Sequence, residues 1–199
     1  MTKTMLWTRA LRYGPAGAAV IVAVLGIVAA LQFAMPETMP VVLPLSGAYY
    51  AHALSAKNNE RRMELARKTV DAAPGRAENW LLLASAYQRS DKRLSGRVLA
   101  SLRQSYVAGA LSPDAHDWRL AYIFSNWHLM PPDLKAAAMT EADAYIQRYT
   151  GYVYIKSLAP TLSDDEGRVA LGLVALTHDR AGQNARRISE FRARNESVQ

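Results

Sequence analysis

Apolar positions along this chain fall into two kinds of run. The first is continuous: no formal charge lies between Arg12 and Glu37, and residues 15–35 are dominated by Ala, Val, Ile and Leu. A bilayer core of roughly 30 Å takes about 20 helical residues to cross, and backbone groups in lipid must bond to one another, which a helix achieves. The second kind is periodic. From Leu45 onward apolar residues recur at spacings of three and four, as in helices that bury one face, and no stretch alternates as a half-buried strand would. The expected fold class is all-α: one N-terminal transmembrane helix followed by an exported α-helical hairpin-repeat domain.

The periodic part divides at recognisable stops. Leu45 to Ala56 reads as a short first helix. Asn58 or Asn59 can cap a second, with Met63, Ala66, Val70 and Ala73 on one face, and Ala73-Pro74-Gly75 ends it. Glu78 to Arg89 follows, with Trp80, Leu83, Ala84 and Tyr87 on one stripe. After the turn Ser90 to Arg93, Leu94 to Ala110 carries Val98, Leu99, Leu102, Tyr106 and Val107. Ser112-Pro113-Asp114 opens a helix running to about Met130 with Trp118, Tyr122, Ile123, Phe124 and Trp127. Pro131-Pro132-Asp133 opens another, Leu134 to about Tyr149, which Thr150-Gly151 breaks. Tyr152 to Ile155 reads equally as a brief extended piece or the start of a further helix. Ser163-Asp164-Asp165-Glu166 has the form of a capping box, and two last helices are expected over Glu166–Leu176 and Gly182–Arg194.

Charge sets the expected topology. Lys3, Arg9 and Arg12 precede the apolar run and the next basic residue is Lys57, so the N-terminus is expected in the cytoplasm and the rest beyond the inner membrane. A cleaved signal peptide would have a shorter apolar core ending at a small-x-small site; here the best such site, near Val28-Ala29-Ala30, lies inside the run. The expected organisation is a basic N-terminus (1–14), a transmembrane helix (15–35), a Pro-rich spacer (36–44) with Pro36, Pro40 and Pro44, and a helical domain (45–199) in the periplasm. Ala19, Ala23, Gly26 and Ala30 share one face of the anchor, which leaves a homodimer through close helix packing open.

The net charge of +7 is uneven. Lys57 to Arg103 holds eleven basic and five acidic residues, Gln104 to Asp179 five basic and nine acidic, and the tail turns basic again through Arg180, Arg186, Arg187, Arg192 and Arg194. Such asymmetry steers anionic partners. For an exported domain these are envelope proteins, anionic polysaccharide or lipid headgroups rather than nucleic acid. With no cysteine, disulfides and thiolate metal sites are unavailable.

An internal repeat is suggested by Trp80 and Trp118, each in the first turns of a helix that follows a proline stop at Pro74 or Pro113. Trp80-Leu81-Leu82-Leu83-Ala84-Ser85-Ala86-Tyr87 resembles the tetratricopeptide pattern of Trp, Leu-Ala and Tyr at matching offsets. The unit is longer than that family's, with extra residues over Arg89–Ser95, and the second unit has Tyr122 where a small residue is expected. The resemblance implies stacked helical hairpins packed through Trp80, Leu83, Ala84, Tyr87, Trp118 and Trp127, with a groove for a partner segment. A further pattern, Leu102-Arg103-Gln104-Ser105-Tyr106, then Arg119-Leu120 and Trp127-His128-Leu129 before Pro131-Pro132, is similar to small membrane-anchored accessory proteins of bacterial exopolysaccharide gene clusters.

Chemistry-bearing motifs are sparse. His52, His116, His128 and His178 show no short metal-ligand spacing. His116 with Asp114 and Asp117 reads as an exposed helix start. Asp164, Asp165 and Glu166 suit the positive end of a helix; sugar hydrolysis would need a second carboxylate facing them, such as Glu141 or Asp143. No nucleophile elbow, phosphate loop or dinucleotide fingerprint is present. The chain is therefore read as a non-enzyme without cofactor or metal: a membrane-anchored interaction module, with an accessory role in exopolysaccharide synthesis or export. Adaptors of other envelope machines (cytochrome maturation, secretion, division) and direct anionic-glycan binding are the alternatives. The expected partner-binding residues are the basic turn Arg89, Lys92, Arg93 and Arg97, with Tyr152 and Tyr154 beside the Gly151 break.

Overall fold

The computed structural model describes residues 22–36 and 45–196, with side chains through residue 190. All regular structure among these residues is helical. Residues 22–34 form α1, followed by α2 (Ser46–Ser55), α3 (Asn59–Ala72), α4 (Ala77–Asp91), α5 (Gly96–Gly109), α6 (His116–Ser125), α7 (Pro132–Ile146), α8 (Tyr149–Leu158) and α9 (Asp165–Glu196). Short 3-10 turns occupy Trp127–Leu129 and Ala159–Thr161.

The helix boundaries follow local chemistry. Asn58 caps α3, its side-chain oxygen accepting from the Glu60 N–H at 2.7 Å. The α3 C-terminus is held by buried Asn79, which donates to the carbonyls of Thr69 (3.2 Å) and Ala73 (2.8 Å). Lys92 closes α4 in the left-handed region, φ 53°, donating its N–H to the Gln88 carbonyl. Pro132 opens α7, where a missing N–H costs nothing.

Helices pack on their sequence neighbours from α2 through α5, and α6 to α9 then form a second assembly in which α7 also touches α5. Two apolar clusters result, and α4 serves both. Leu82, Leu83 and Ala86 join Ala53, Leu65, Ala66 and Val70 on one side. Leu81 and Ala84 join Val98, Leu102, Leu120, Ile123, Phe124, Leu134, Ile146, Ile155 and Leu171 on the other. Two glycines permit close crossings. A Cβ at Gly151 would lie 2.0 Å from the Tyr145 carbonyl oxygen, and one at Gly167 would lie 1.9 Å from that of Phe124.

Several expectations need correction. The two last helices are one: α9 runs unbroken through Gly182, because an isolated glycine costs a helix only about 1 kcal/mol and no proline follows it. Its cap is Asp164, which accepts from the Gly167 N–H at 2.9 Å, whereas Ser163 donates to the Ser125 carbonyl. Tyr152 to Ile155 are helical, within α8. His116 is not exposed but 1% accessible, because the register of α6 turns it inward against α7. The expected membrane span is described only in part: residues 15–21 and most of the spacer, 37–44, lie outside the described residues. Among the described residues no helix is long and apolar enough to cross a membrane; α1 as described spans about 20 Å. The Phe33 ring rests on Gly47 of α2.

Candidate functional site

The strongest side-chain constellation is sealed inside the second assembly. Arg119 on α6 and Glu141 on α7 are 0% and 2% exposed. The guanidinium donates through Nε and Nη2 to both carboxylate oxygens, at 2.5 to 3.1 Å. His116 Nδ1 lies 2.6 Å from Glu141 Oε1, and the Tyr106 hydroxyl donates to Oε2 at 2.8 Å. Arg119 further donates to the carbonyls of Ser105, Gly109 and Ala110, closing the C-terminus of α5. Its guanidinium carbon sits 4.0 Å over the Tyr106 ring. Burial, with the Glu141 charge second, pushes the Tyr106 hydroxyl far above the ordinary tyrosine range. The network ties α5, α6 and α7 together and leaves little surface for a substrate. Its sequence signal was a charge on a core stripe: Glu141 shares a helix face with Leu134 and Ala138.

A second polar junction ties the 127–129 turn to α9. Buried Asp164 accepts from the His128 N–H at 2.9 Å and from the Gly167 N–H, and pairs with His128 Nδ1. These bonds, the His128 backbone bond foremost, hold its carboxyl well below the usual range. The His128 side chain is 60% exposed. Glu141 and Asp164 thus belong to separate networks, each engaged by its own cations or donors. Among the described residues no group of three metal-ligating side chains is placed to hold an ion.

An open groove of about 500 Å³ lies between the α7–α8 junction and α9. Arg148, Tyr149, Tyr152, His178 and Arg186 line it. Tyr149 is 82% exposed, and the Tyr152 and His178 rings are 5.5 Å apart. Asp179 is answered by Lys156, which donates to it at 2.9 Å and to the Tyr152 hydroxyl at 3.2 Å. Those hydrogen bonds raise Lys156 and lower Asp179 from their ordinary values. Arg148 and Arg186 have no ion-pair partner among the described residues, so the groove presents net positive charge beside an aromatic platform.

The residues singled out from sequence do not form one surface. Tyr152 lines this groove, but Tyr154 turns to α6, where its hydroxyl donates to the Asp117 carbonyl at 2.5 Å. Burial foremost, then the Asp117 charge, pushes that hydroxyl up to about 12. Both tyrosines are half-buried, and the exposed ring is Tyr149. In the basic turn, Arg97 is tied to Asp91 and lies 4.5 Å over the Tyr87 ring. The Arg97 hydrogen bonds, then the one from Ser95, hold the Asp91 carboxyl at about 2. Arg89, Lys92 and Arg93 are exposed, without ion-pair partners among the described residues.

The repeat positions also differ from one another. Trp80 packs half-buried on the first cluster and donates to the Pro74 carbonyl at 2.7 Å. Leu83 faces the first cluster, Ala84 the second, and Tyr87 touches both. Trp118 is 38% exposed and stacks on Tyr122, while Trp127 sits in the 3-10 turn against Phe124. The two tryptophans therefore occupy unlike environments. In comparisons with known proteins, the chain matches no family profile, no curated protein and no solved structure.

Proposed function

We propose that this chain is a membrane-tethered helical interaction module that holds a component of an envelope machine in place, and that the machine is one for exopolysaccharide synthesis or export. The observation that carries the tether is α1 and the residue after it. Val22, Val24, Leu25, Ile27, Leu31, Phe33 and Met35 are all exposed, over most of the helix surface apart from the face of Val28, Ala29 and buried Gln32. A soluble surface rarely leaves so continuous an apolar element bare, whereas hydrocarbon would cover it. The preceding uncharged residues and the basic N-terminus support an uncleaved anchor with the helical domain in the periplasm. The pathway part of this proposal rests on the resemblance of Leu102 to Tyr106, Arg119-Leu120 and Trp127 to Leu129 to exopolysaccharide accessory proteins.

The exposed turn Arg89, Lys92 and Arg93 is the surface for an acidic partner protein. In-cell cross-linking of the full chain tests it: reversal of all three to Glu should remove the co-purifying envelope proteins. Unchanged partners would contradict that site, and a deletion leaving polymer synthesis and export intact would contradict the pathway. A second reading, direct binding of an anionic glycan, is favoured by the groove, where Tyr149 and Tyr152 offer faces for sugar rings and Arg148 and Arg186 offer charge for carboxylates. It predicts salt-sensitive retention of the purified polymer by the full chain in detergent, lost in Tyr149→Ala/Arg186→Glu. The adaptor reading predicts no such retention.

A further inference from the structure

α9 has two apolar faces. Leu171, Val174 and Ala175 are buried against the second cluster, whereas Val169, Leu173 and Leu176 are 62%, 54% and 44% exposed. With Glu166 before them and Arg180 after, the outward residues fall at successive intervals of three, four, three and four. That spacing puts them on one helix face, in the 3-4 pattern through which paired helices pack. Neither Glu166 nor Arg180 has an ion-pair partner among the described residues.

The order of residues along this seam identifies the partner. Acid, three apolar side chains and base read the same in reverse with the charges exchanged. An antiparallel copy centred on Leu173 places Leu173 on Leu173, Glu166 against Arg180 at both ends, and Val169 within one residue's rise, about 1.5 Å, of the level of Leu176. A parallel copy would instead set Glu166 on Glu166 and Arg180 on Arg180, which like-charge repulsion opposes. The open, apolar stretch of surface over Val169, Ala170 and Leu173 is where Leu176 of the second copy would rest. Beyond Arg180 the seam continues with Gln183 and Arg187, so its apolar part ends there. We infer that α9 is a self-association surface: it pairs antiparallel with α9 of a second copy about a two-fold axis at Leu173. An isologous contact of this kind closes at the dimer, and it is separate from any pairing of the anchors.

The absence of native cysteine makes the geometry directly readable. Full-length Leu173→Cys, oxidised in native membranes, is expected to form a disulfide-linked dimer at least about tenfold faster than Val107→Cys, because pairing raises the local thiol concentration; Val107 is 79% exposed, on α5. Glu166→Cys and Arg180→Cys should each stay monomeric alone and cross-link to one another when co-expressed. Adding Glu166→Arg to Leu173→Cys should slow cross-linking to the Val107→Cys rate, and further adding Arg180→Glu should restore it. Equal rates for Leu173→Cys and Val107→Cys would overturn the surface, and self-linking of Glu166→Cys would overturn the antiparallel arrangement.

Discussion

On the α2–α4 side of the molecule and on the α5–α9 side, an arginine closes the C-terminus of one helix from the next, yet the two arginines are set very differently. Arg62, half-buried, donates to the carbonyls of Ala53 and Ala56 at the end of α2. Arg119, fully buried, does the same for α5 and is then neutralised by Glu141. The first side has no buried ion pair among the described residues; its helices pack neighbour on neighbour around aliphatic side chains flanked by Trp80 and Tyr87, so a loss there stays local and graded. The second side brings α5, α6 and α7 together around a charge pair that tolerates no missing member. A buried ion pair thus joins helices of the second half, whereas the first is held by apolar packing and by hydrogen bonds from Arg62 and Asn79 to helix-end carbonyls.

Removing one partner of the pair is the severest way to break this comparison. Arg119→Leu should cost about 3–5 kcal/mol, because Glu141 would stay buried without its countercharge; denaturant unfolding of the full chain in detergent measures it. Replacing both, Arg119→Leu with Glu141→Leu, should cost less than the single change. Leu65→Ala, in the first cluster, should cost about 2–4 kcal/mol through the cavity it leaves. Hydrogen exchange should then show faster opening confined to α2 to α4, whereas Arg119→Leu loosens α5 to α9.

Asp164→Asn should cost about 2 kcal/mol, the worth of charge-assisted hydrogen bonds at a buried cap. The sign of its pH dependence follows from a carboxyl held below its unfolded value. Its contribution is fully present above about pH 4 and is lost as the pH falls further. Amide exchange at Gly167 and the 127–129 turn should therefore accelerate in acid in the native chain and show no such step in the Asn variant. The smallest effect expected is Asn58→Ala, about 1 kcal/mol from one exposed N-cap, read as a small drop in thermal midpoint.

The same contrast governs what could be read from sequence. Helix starts that carry their own chemistry, Asn58 and the Pro131-Pro132-Asp133 turn, predict α3 and α7 closely. The break expected near Gly182 is missing because a glycine among good helix formers does not stop a helix unaided. The polar core was missed because Arg119 and Glu141 look like ordinary surface charges until their helix faces are compared with Leu120, Leu134 and Ala138. The groove combines Arg148 and Tyr149 with His178 and Arg186, so no local pattern announces it. The basic turn, by contrast, is contiguous, and there only Arg97 proves to be occupied within the fold.

The proposed function requires α1 to be part of a membrane anchor with the helical domain on the periplasmic side. The most direct measurement is a C-terminal dual reporter on the full chain, alkaline phosphatase fused to a fluorescent protein that matures only in the cytoplasm, read in membranes after alkaline extraction. Phosphatase activity without fluorescence, retained in the extracted membranes, is the predicted result. Fluorescence without phosphatase activity, or release of the chain into the alkaline supernatant, would contradict it.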